Sequence, residues 1–546
     1  MNPRKAMKSK SDNMVDDKNN KNAVVAERNA EYFAKQQKEI SVSEFFEKNK
    51  HLLGFDNPTK ALMMVVKEAV DNSLDACEEA GILPELIVKM KNPKNDYFTV
   101  SVQDNGPGIV KEQIPRVFGK LLYGSKFHRL RQSRGQQGIG ISAAVLYSQL
   151  MVGKPARIWS KTDNKKIHYF ELFINTTKNE PEIVKDELIE KDSFGEHGIR
   201  IEMDLIGRYR RAQGVDDYLK QTSIANPFAK ITYHAPDGLK IIYPKSVDKL
   251  PRPPKEMRPH PYGVEFGVLL RMLKSTKSRT LSAFIINEFS STGATSASEI
   301  CKLAKLDKNL KPESLDRDQI EKLIETMQKV RLQRPPLDCL SPIGKEELEK
   351  SLKREYPDAE FITAVTRDPD VYRGNPFQIE VGIVYGIGKP DESADFVRIA
   401  NRVPLMYQIG ACATMEAVKN TAWKRYGLQQ SGTNMPTGPF VIVIHMCSTW
   451  VPFISESKEA IAPYPEIVKE MKLAIQDAGR DLSRFLSGKR RAGEQKRRLQ
   501  IFERYAPEVA EATGLLADKP KKDIENKLLS MVKNRIKMKE ESEDDA

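Results

Sequence analysis

The spacing of apolar residues predicts a long helix over about residues 58–80. Its core-facing positions recur every three or four residues, at Ala61, Leu62, Val65, Val66 and Ala69. Asn57 directly before Pro58 is typical of a helix start, and Gly81 is suited to follow the last turn. The pattern therefore predicts a helix of about six turns near the start of the folded part of the chain.

A period-two pattern then replaces the helical one. In YFTVSVQ, Phe98, Val100 and Val102 share one face, which predicts a strand over residues 97–103. The stretch RIWSKTDNKKIHYFELFI predicts two more strands around a turn at residues 163–164. Helix and strands together indicate an α+β domain.

The rest of the chain divides into a helical part and a second α/β part. A proline cluster at 250–261 marks a linker, and no strand pattern follows it until about residue 340. Strand and helix patterns then interleave again. We therefore predict a multidomain α+β protein with a disordered N-terminal segment, an α/β domain, a small helical domain, an α/β domain and a charged helical tail, at residues 1–35, 36–250, 251–336, 337–500 and 501–546.

Polar residues interrupt the long predicted helix. Glu68, Asn72 and Asp75 stand at i, i+4 and i+7, so they project from one face. A solvated face is the ordinary explanation of such a stripe. A lined cavity or a bound ion is the alternative, because buried carboxylates need a cation or hydrogen-bond donors. The stripe alone does not distinguish the two.

Two glycine-containing segments later in the chain favour the cavity. DNGPG, which begins at Asp104, follows a strand, where a carboxylate can accept from an exocyclic amine and glycines let the backbone approach a ring. GQQGIG, at residues 135–140, precedes a helical pattern, which suits backbone N–H groups that converge on phosphates. Each segment alone is weak evidence, since DNGPG is also a common turn.

Composition narrows the class of protein further. Lys and Arg outnumber Asp and Glu by 88 to 75, a formal charge of +13, which permits an anionic partner such as nucleic acid. No apolar run approaches the roughly 18 residues of a membrane-spanning helix, and the polar N-terminus is unlike a signal peptide, so we expect a cytoplasmic protein without membrane contact. The cysteines show no Cys-x-x-Cys spacing and predict free thiols at Cys77, Cys301, Cys339, Cys412 and Cys447.

In this order and at this spacing, the polar stripe and the two glycine segments resemble the ATP-binding fold of the GHKL class. That class includes gyrase-type topoisomerases, histidine kinases, MutL-type repair proteins and ATP-dependent dimeric chaperones. LLYGSKFHRLRQSRGQQGIGISAAVLYSQ, NTAWKRYG, SESKEAIA and the helical insert at 262–335 narrow the resemblance to the B subunits of archaeal type IIB DNA topoisomerase VI, over about residues 35–505. The resemblance implies a Bergerat-type α/β sandwich ATPase domain, a helix-two-turns-helix domain and a transducer domain of ribosomal S5-like fold.

The resemblance also implies ATP and Mg²⁺ as cofactors and assigns the site residues. Glu68 is the expected general base, Asn72 the magnesium ligand, and Asp104 the residue that contacts the adenine amine. Lys458, in SESKEAIA, is expected to reach the γ-phosphate and to act in catalysis. Where relatives commonly carry a Thr that adds one hydrogen bond, this chain has Ile199. The other expected ATP contacts are Gly106, Gly108, Ser125, Lys126, Gly135, Gln136, Gln137, Gly138, Ile139, Gly140, Ile141 and Ser142.

The resemblance implies three partners for a nucleoid-associated protein. They are a Spo11-like A subunit that carries the catalytic tyrosine, double-stranded DNA, and a second copy of the chain, in an A2B2 complex that relaxes and decatenates DNA. Trp423 of the WKRY motif is either part of a functional motif or packed core. Basic residues in two places are candidate DNA contacts, although solvated helices look similar: Arg271, Lys274, Lys277 and Arg279, and then Lys489, Arg490 and Arg491.

Two other functions are open to an ATP-binding protein of this class. A histidine kinase needs a phosphoacceptor histidine on a helix before the ATPase domain, and only His51 precedes EAVDNSLDA. A MutL-like or chaperone-like clamp would act without a DNA-cleaving partner. Autophosphorylation would indicate the first, and the absence of supercoil relaxation with a DNA-cleaving partner would indicate the second.

Overall fold

The structure is a computed structural model that describes residues 40–94, 96–124, 130–135, 138–162, 166–190 and 194–531. The predicted N-terminal segment at 1–35 and the predicted turn at 163–164 lie outside these ranges. An eight-stranded sheet forms the first part of the described chain. Its strands are Glu85–Lys94 (β1), Tyr97–Gln103 (β2), Ala156–Lys161 (β3), Ile167–Asn175 (β4), Glu180–Ile189 (β5), Gly198–Ile206 (β6), Lys230–His234 (β7) and Lys240–Tyr243 (β8).

The strand order in this sheet is β5-β4-β3-β6-β2-β1-β7-β8, and within it β1 and β7 pair in parallel. Strand β2 therefore lies near the middle of the sheet, between β6 and β1. The strand predicted over 97–103 is confirmed.

Helices cover one face of this sheet and close its core. They are Val42–Lys48 (α1), Pro58–Glu79 (α2), Ile114–Gly119 (α3), Gly140–Val152 (α4) and Val215–Ala225 (α5). The fully buried Val65 of α2 belongs to the same apolar cluster as Val100 of β2 and Tyr218 of α5. The burial of this apolar surface is the main stabilising contribution to the domain.

Local capping explains where α2 begins. The Asn57 side chain accepts a hydrogen bond of 2.8 Å from the backbone N–H of Lys60, and Pro58 occupies the first turn, where no backbone donor is needed. Gly81 follows the last turn with a φ of 73°, which favours glycine. The predicted helix at 58–80 is confirmed, with Glu79 as its last residue.

A small helical unit with a core of its own follows the proline-rich stretch. Its helices are Phe266–Ser275 (α6), Leu281–Glu288 (α7), Ala294–Ala304 (α8) and Arg317–Lys329 (α9). Leu269, Phe284, Ile300 and Leu323 are fully buried in it. No strand occurs in this unit, all of whose residues the structure describes, as the sequence predicts.

The C-terminal part is a second α/β unit. Six strands form its sheet: Phe361–Thr366 (β9), Asp370–Tyr372 (β10), Asn375–Tyr385 (β11), Asp395–Ala400 (β12), Val403–Pro404 (β13) and Phe440–Ser448 (β14). The accompanying helices are Lys345–Glu355 (α10), Ala413–Lys419 (α11) and Pro465–Ala517 (α12). Helix α12 runs without interruption through residue 500, where we predict a boundary between domain and tail, so the secondary structure does not change there.

Two of the expectations from composition can be examined in the described residues. Within them, no helix is both long enough and apolar enough to cross a membrane. All five cysteines are buried and free, as predicted.

Candidate nucleotide-binding site

One cavity of about 550 Å³ lies where α2, the end of β2 and the start of α4 meet a loop of the C-terminal unit. Glu68, Asn72 and Asp104 line it from the first unit, and Lys458 lines it from the second. Two members of the predicted polar stripe, Glu68 and Asn72, therefore line a cavity, whereas the third, Asp75, is buried against Arg134 and does not line it.

Asp104 lies at the floor of this cavity in a network of donors. Its carboxylate accepts hydrogen bonds from Ser73 Oγ at 2.6 Å, from the backbone N–H of Gly106 at 2.9 Å and from that of Ile199 at 3.1 Å. Burial raises the pKa of Asp104, and these three hydrogen bonds oppose that shift because they favour the ionised form. The carboxylate is thus held in a fixed orientation, with its position in the cavity suited to recognise a donor such as an exocyclic amine.

Ile199, which stands where relatives commonly carry a Thr, takes part in this network through its backbone. The Ile199 side chain has no hydroxyl, yet its backbone N–H bonds Asp104 and its side chain lines the cavity. The hydroxyl that bonds Asp104 comes from Ser73 on α2. Sequence reasoning missed Ser73, although its place one residue after Asn72 puts it on the stripe's flank.

Glu68 is held between a lysine and a glycine. Lys67 Nζ lies 3.3 Å from Glu68 Oε1 and 2.8 Å from Asp71 Oδ2, and Tyr218 donates to Asp71 at 2.9 Å. Burial alone would lower the pKa of Lys67, but the charges of Asp71 and Glu68 outweigh it and raise that pKa. On the other side, a Cβ atom on Gly140 would lie only 1.8 Å from Glu68 Oε2. Lys67 is a second site residue that the sequence pattern did not indicate.

Gly106 and Gly108, which follow Asp104, differ in their surroundings. Gly108 has a φ of 74°, and a Cβ there would approach the backbone oxygen of Lys161 to 2.2 Å, so only glycine fits. Gly108 lines the cavity, whereas Gly106 lies beside Asp104 and Cys77, outside the lining. The predicted nucleotide contact of Gly106 therefore has no support from its position.

The glycine segment contributes most of its predicted residues to the cavity. Gly135, Gly138, Ile139, Gly140 and Ile141 line it at the start of α4. Ser142 does not, because its buried hydroxyl donates to the carbonyl of Ile139. The remaining predicted contacts, Ser125, Lys126, Gln136 and Gln137, lie outside the described residues.

Lys458 enters the cavity from the loop after β14. Its φ of 54° is unusual for a residue with a side chain and occurs mainly where the surrounding structure imposes it. Burial lowers the pKa of Lys458, as does the nearby charge of Lys67, while Glu68 and Asp71 act in the opposite direction. An ion pair of 2.5 Å between Lys60 of α2 and Glu459 ties this loop to the first unit. The structure thus brings Lys458 and Glu68 to the same cavity.

Asn72 is exposed on α2 and lines the cavity. No group of three or more His, Cys, Asp or Glu residues in the described parts of the chain could hold a metal ion by itself. A single amide oxygen fits Mg²⁺ in a nucleotide site, because Mg²⁺ usually takes one or two protein oxygens together with phosphate oxygens and water. Asn72 is therefore suited to a metal that also binds the phosphates of a nucleotide, and it is not a metal site by itself.

The candidate DNA contacts lie on the surface, away from this lining. Arg271 and Lys274 on α6, with Lys277 and Arg279 after it, are exposed. Lys489, Arg490 and Arg491 are exposed on α12, and Lys489 forms an ion pair with Glu360. Trp423 is completely buried, and its indole N–H donates to Val418 O at 2.8 Å, so the packed-core interpretation holds for it.

Comparison with known proteins agrees with this geometry in two regions. Residues 57–178 match the family described as histidine kinase-, DNA gyrase B- and HSP90-like ATPase, and residues 335–498 match the transducer of the topoisomerase VI B subunit. The cavity residues Glu68, Asn72 and Asp104 all lie in the first match, and Lys458 lies in the second. Fold and cavity together define an ATPase of the GHKL class.

Close relatives specify the family within this class. The chain is 50% identical over 501 residues to the type 2 DNA topoisomerase 6 B subunit of Methanococcoides burtonii, covering 91% of this chain and 79% of the relative. For the proteins of the same name from Archaeoglobus fulgidus and Thermococcus onnurineus, the identities are 47% and 40%, with 90% and 93% of this chain covered, and 81% and 97% of the relatives. The chain belongs to the family of type 2 DNA topoisomerase 6 B subunits. It is thus the ATPase-bearing component of an ATP-dependent topoisomerase.

Proposed function

We propose that this chain hydrolyses ATP in the cavity, with Glu68 as the general base. The observation that carries the proposal is the convergence of Glu68, Asn72, Asp104 and Lys458 from two parts of the chain on one cavity of about 550 Å³. Glu68 Oε1 contacts Lys67, while Oε2 faces Gly140 at the end of the glycine segment and the start of α4, where phosphates would lie. A carboxylate so placed can orient a water and accept its proton.

Substrate recognition divides between the two ends of the cavity. Asp104 accepts a hydrogen bond from the adenine amine, with its carboxylate oriented by Ser73. At the other end, Asn72 would hold Mg²⁺, which would supply positive charge against the phosphates. The backbone of the glycine segment and the ammonium group of Lys458 offset the remaining phosphate charge as the terminal bond breaks.

Lys458 also links catalysis to the rest of the molecule. It belongs to the transducer match, whereas the other three residues belong to the ATPase match. A γ-phosphate that attracts Lys458 favours the arrangement in which the two parts are docked together. We infer that hydrolysis and phosphate release weaken this contact and so drive a movement of the transducer.

The assembled enzyme requires partners that this chain implies. We propose an A2B2 complex in which ATP-driven dimerisation of two copies of this chain captures a DNA duplex, while the A subunit cleaves, opens and rejoins a second one. The exposed basic residues on α6 and α12 are the proposed DNA contacts. They are surface cations, which can neutralise phosphates at little desolvation cost.

Replacing the base tests the proposal. Glu68→Gln and Glu68→Ala are expected to lower kcat for ATP hydrolysis by about 10²-fold or more, because a general base contributes about that much. Binding of a fluorescent ATP analogue should stay within about threefold of the parent, since neither change touches Asp104 or Asn72. Glu112→Ala, which removes an exposed carboxylate near the cavity, is the control. Undiminished hydrolysis in both Glu68 variants would refute the assignment.

A further inference from the structure

Four charged side chains meet between the nucleotide cavity and the transducer. Asp75 and Glu78 lie on α2, Arg134 directly precedes the glycine segment, and Arg402 lies at the turn between β12 and β13. The exposed fractions of these side chains are 9%, 15%, 3% and 5%. We call these four residues the junction cluster. Its burial and its balance of two positive and two negative charges show that it is part of the interior.

The contacts of Arg134 join the glycine segment to the helix of the proposed base. Arg134 Nη1 lies 2.7 Å from Asp75 Oδ1, and its Nη2 is paired with Glu78. Nη2 also donates to Asn226 Oδ1 at 2.5 Å, and the Asn226 amide donates to the backbone carbonyl of Arg402 at 3.2 Å. Gly135 lines the cavity and directly follows Arg134 in the chain. A displacement of Gly135 would therefore also displace Arg134.

The turn that carries Arg402 is held in an unusual conformation. Asn401 and Arg402 have φ values of 48° and 65°, a region that residues with side chains seldom adopt. The Asn401 amide donates to the carbonyls of Ser133, at 3.1 Å, and Ser448, at 3.0 Å, while the Arg402 N–H donates to His445 Nε2 at 3.1 Å. Ser133 lies beside Arg134, so the turn contacts the stretch of chain that leads into the glycine segment.

The strand β14 connects this turn with the loop of Lys458. His445 and Ser448, which hold the turn, lie on β14, and the loop with Lys458 follows that strand. A movement of β14 would therefore shift both contacts with the ATPase part together. Lys458 lies at the end of the cavity where phosphates would bind, and Arg402 contacts Glu78 in the last turn of α2.

The interaction of Arg402 with Glu78 is incompletely made. Arg402 Nη1 lies 3.3 Å from Glu78 Oε2, but neither this atom nor Nε of the same side chain has a hydrogen-bond partner. Glu78 divides its two oxygens between Arg134 and Arg402. Buried cationic donors without hydrogen-bond partners are destabilising. A small rotation of Glu78 toward Arg402 would complete that pair and weaken the pair with Arg134.

We propose that Arg402 is a positioning residue that couples movement of Gly135, at the edge of the cavity, to the transducer strands, through Glu78 and Arg134. This coupling is separate from the contact of Lys458 with the phosphate. The inference rests on the proposed function, because it needs a nucleotide-dependent movement to transmit. It assigns to Arg402 no contact with ATP and no part in the bond cleavage.

The test compares ATP hydrolysis with supercoil relaxation in the full complex with the A subunit. For Arg402→Met we expect kcat and KM of ATP hydrolysis within about threefold of the parent, and at least a tenfold lower number of relaxation events per ATP hydrolysed. Arg402→Lys, which keeps the charge, should recover a large part of the missing coupling. Arg367→Met is the matched control, since Arg367 bridges Glu470 and Asp477 inside the transducer and not across the junction.

The outcomes separate this inference from the proposed function. A parent chain that does not hydrolyse ATP refutes the proposed function, whatever the variants do. An Arg402→Met chain with the parent's ratio of relaxation to hydrolysis overturns the inference, as does an equal loss in Arg367→Met. If Arg402→Met is unfolded at the assay temperature, Glu78→Gln is measured instead, with the same expected loss of coupling and the same result overturning the inference.

Discussion

At the scale of single residues, Glu68 depends on the absence of a side chain at Gly140. A Cβ there would overlap Glu68 Oε2 at 1.8 Å. We expect Gly140→Ala to displace the carboxylate and to lower kcat for ATP hydrolysis by about tenfold or more, because a general base acts only from the correct position. Steady-state hydrolysis is the measurement. Gly267→Ala, where a Cβ would meet nothing within 4 Å, is the control. Full activity of Gly140→Ala would show that Glu68 needs no such space.

Asp104 should make opposite contributions to function and to stability. Burial raises its pKa, and for an acid this means that the folded protein binds the proton more tightly than the unfolded chain. The contribution of Asp104 to the free energy of unfolding is then greatest at low pH. It is lost as the pH rises from 3.8, the ordinary pKa of an aspartate, through the higher pKa that Asp104 has in the folded protein.

We therefore expect Asp104→Asn to unfold at the same temperature as the parent or above it at pH 7. Its affinity for ATP should nevertheless fall by at least about tenfold, the effect of losing a hydrogen bond to a charged group. Thermal unfolding and nucleotide titration of the same samples test both parts. An unchanged affinity would remove Asp104 from adenine recognition.

Much of the residue-scale site could be predicted, and the missing parts have a common physical cause. Glu68, Asn72 and Asp104 lie on elements whose spacing the sequence reveals. Ser73 acts through Asp104, a partner that only the tertiary structure supplies. Lys67 pairs with Glu68 and Asp71 of its own helix, and it becomes a site residue only because that face of α2 lines the cavity. The helical pattern indicates which face a side chain occupies, but it does not indicate what lies opposite.

At the scale of elements, the loop after β14 carries the one proposed site residue from the transducer. Lys458 is half-buried, close enough to Lys67, Glu68 and Asp71 for their charges to act on it, and it has a backbone conformation that the surroundings impose. We expect Lys458→Met to retain ATP binding within a few fold and to lose about 10²-fold in kcat, a magnitude typical for a group that stabilises transition-state charge. Single-turnover hydrolysis measures the loss.

A neighbouring lysine provides the comparison for that experiment. Lys469 is exposed on α12, and Lys469→Met should hydrolyse ATP at the parent's rate. If Lys458→Met also keeps the parent's rate, the loop has no part in catalysis and Lys458 is only a packing residue.

Helices and strands with clear capping residues or a regular apolar pattern agree with their predictions, whereas elements that lack such features differ from them. Helix α2 begins at a capping Asn and a Pro, and β2 alternates perfectly, so both were predictable to within one residue. The length of α12 was not, because its charged second half has no apolar pattern to separate it from a tail, and Pro507 would ordinarily end a helix.

At the scale of the whole molecule, the affinity for DNA should fall with rising salt concentration, and the steepness of that fall should depend on how many cationic side chains contact phosphates. Replacing Lys489, Arg490 and Arg491 of α12 by Gln should reduce the slope of log affinity against log salt by about 0.9 for each phosphate that is no longer neutralised. Fluorescence anisotropy with a short duplex over a range of salt concentrations measures it. The corresponding variant at Arg271, Lys274 and Lys277 distinguishes the two candidate surfaces. An unchanged slope in both variants would place the DNA elsewhere.

The order of the strand-bearing and helical parts along the chain was predictable, while the way in which these parts pack together was not. Changes in hydrophobic periodicity and the proline cluster indicated where each part begins. The approach of Lys458 to Glu68, and of Arg402 to Glu78, depends on packing between distant segments, which no local pattern encodes. This is the scale at which a sequence read in isolation carries the least information.

Above all, we propose that this chain couples ATP hydrolysis to DNA strand passage. The decisive experiment mixes the chain with supercoiled plasmid, Mg²⁺ and its native A subunit, with or without ATP, and compares the parent with Glu68→Ala. We predict relaxation that requires ATP in the parent and is nearly absent in the variant. Relaxation that proceeds equally well without ATP, or with Glu68→Ala, would contradict this coupling.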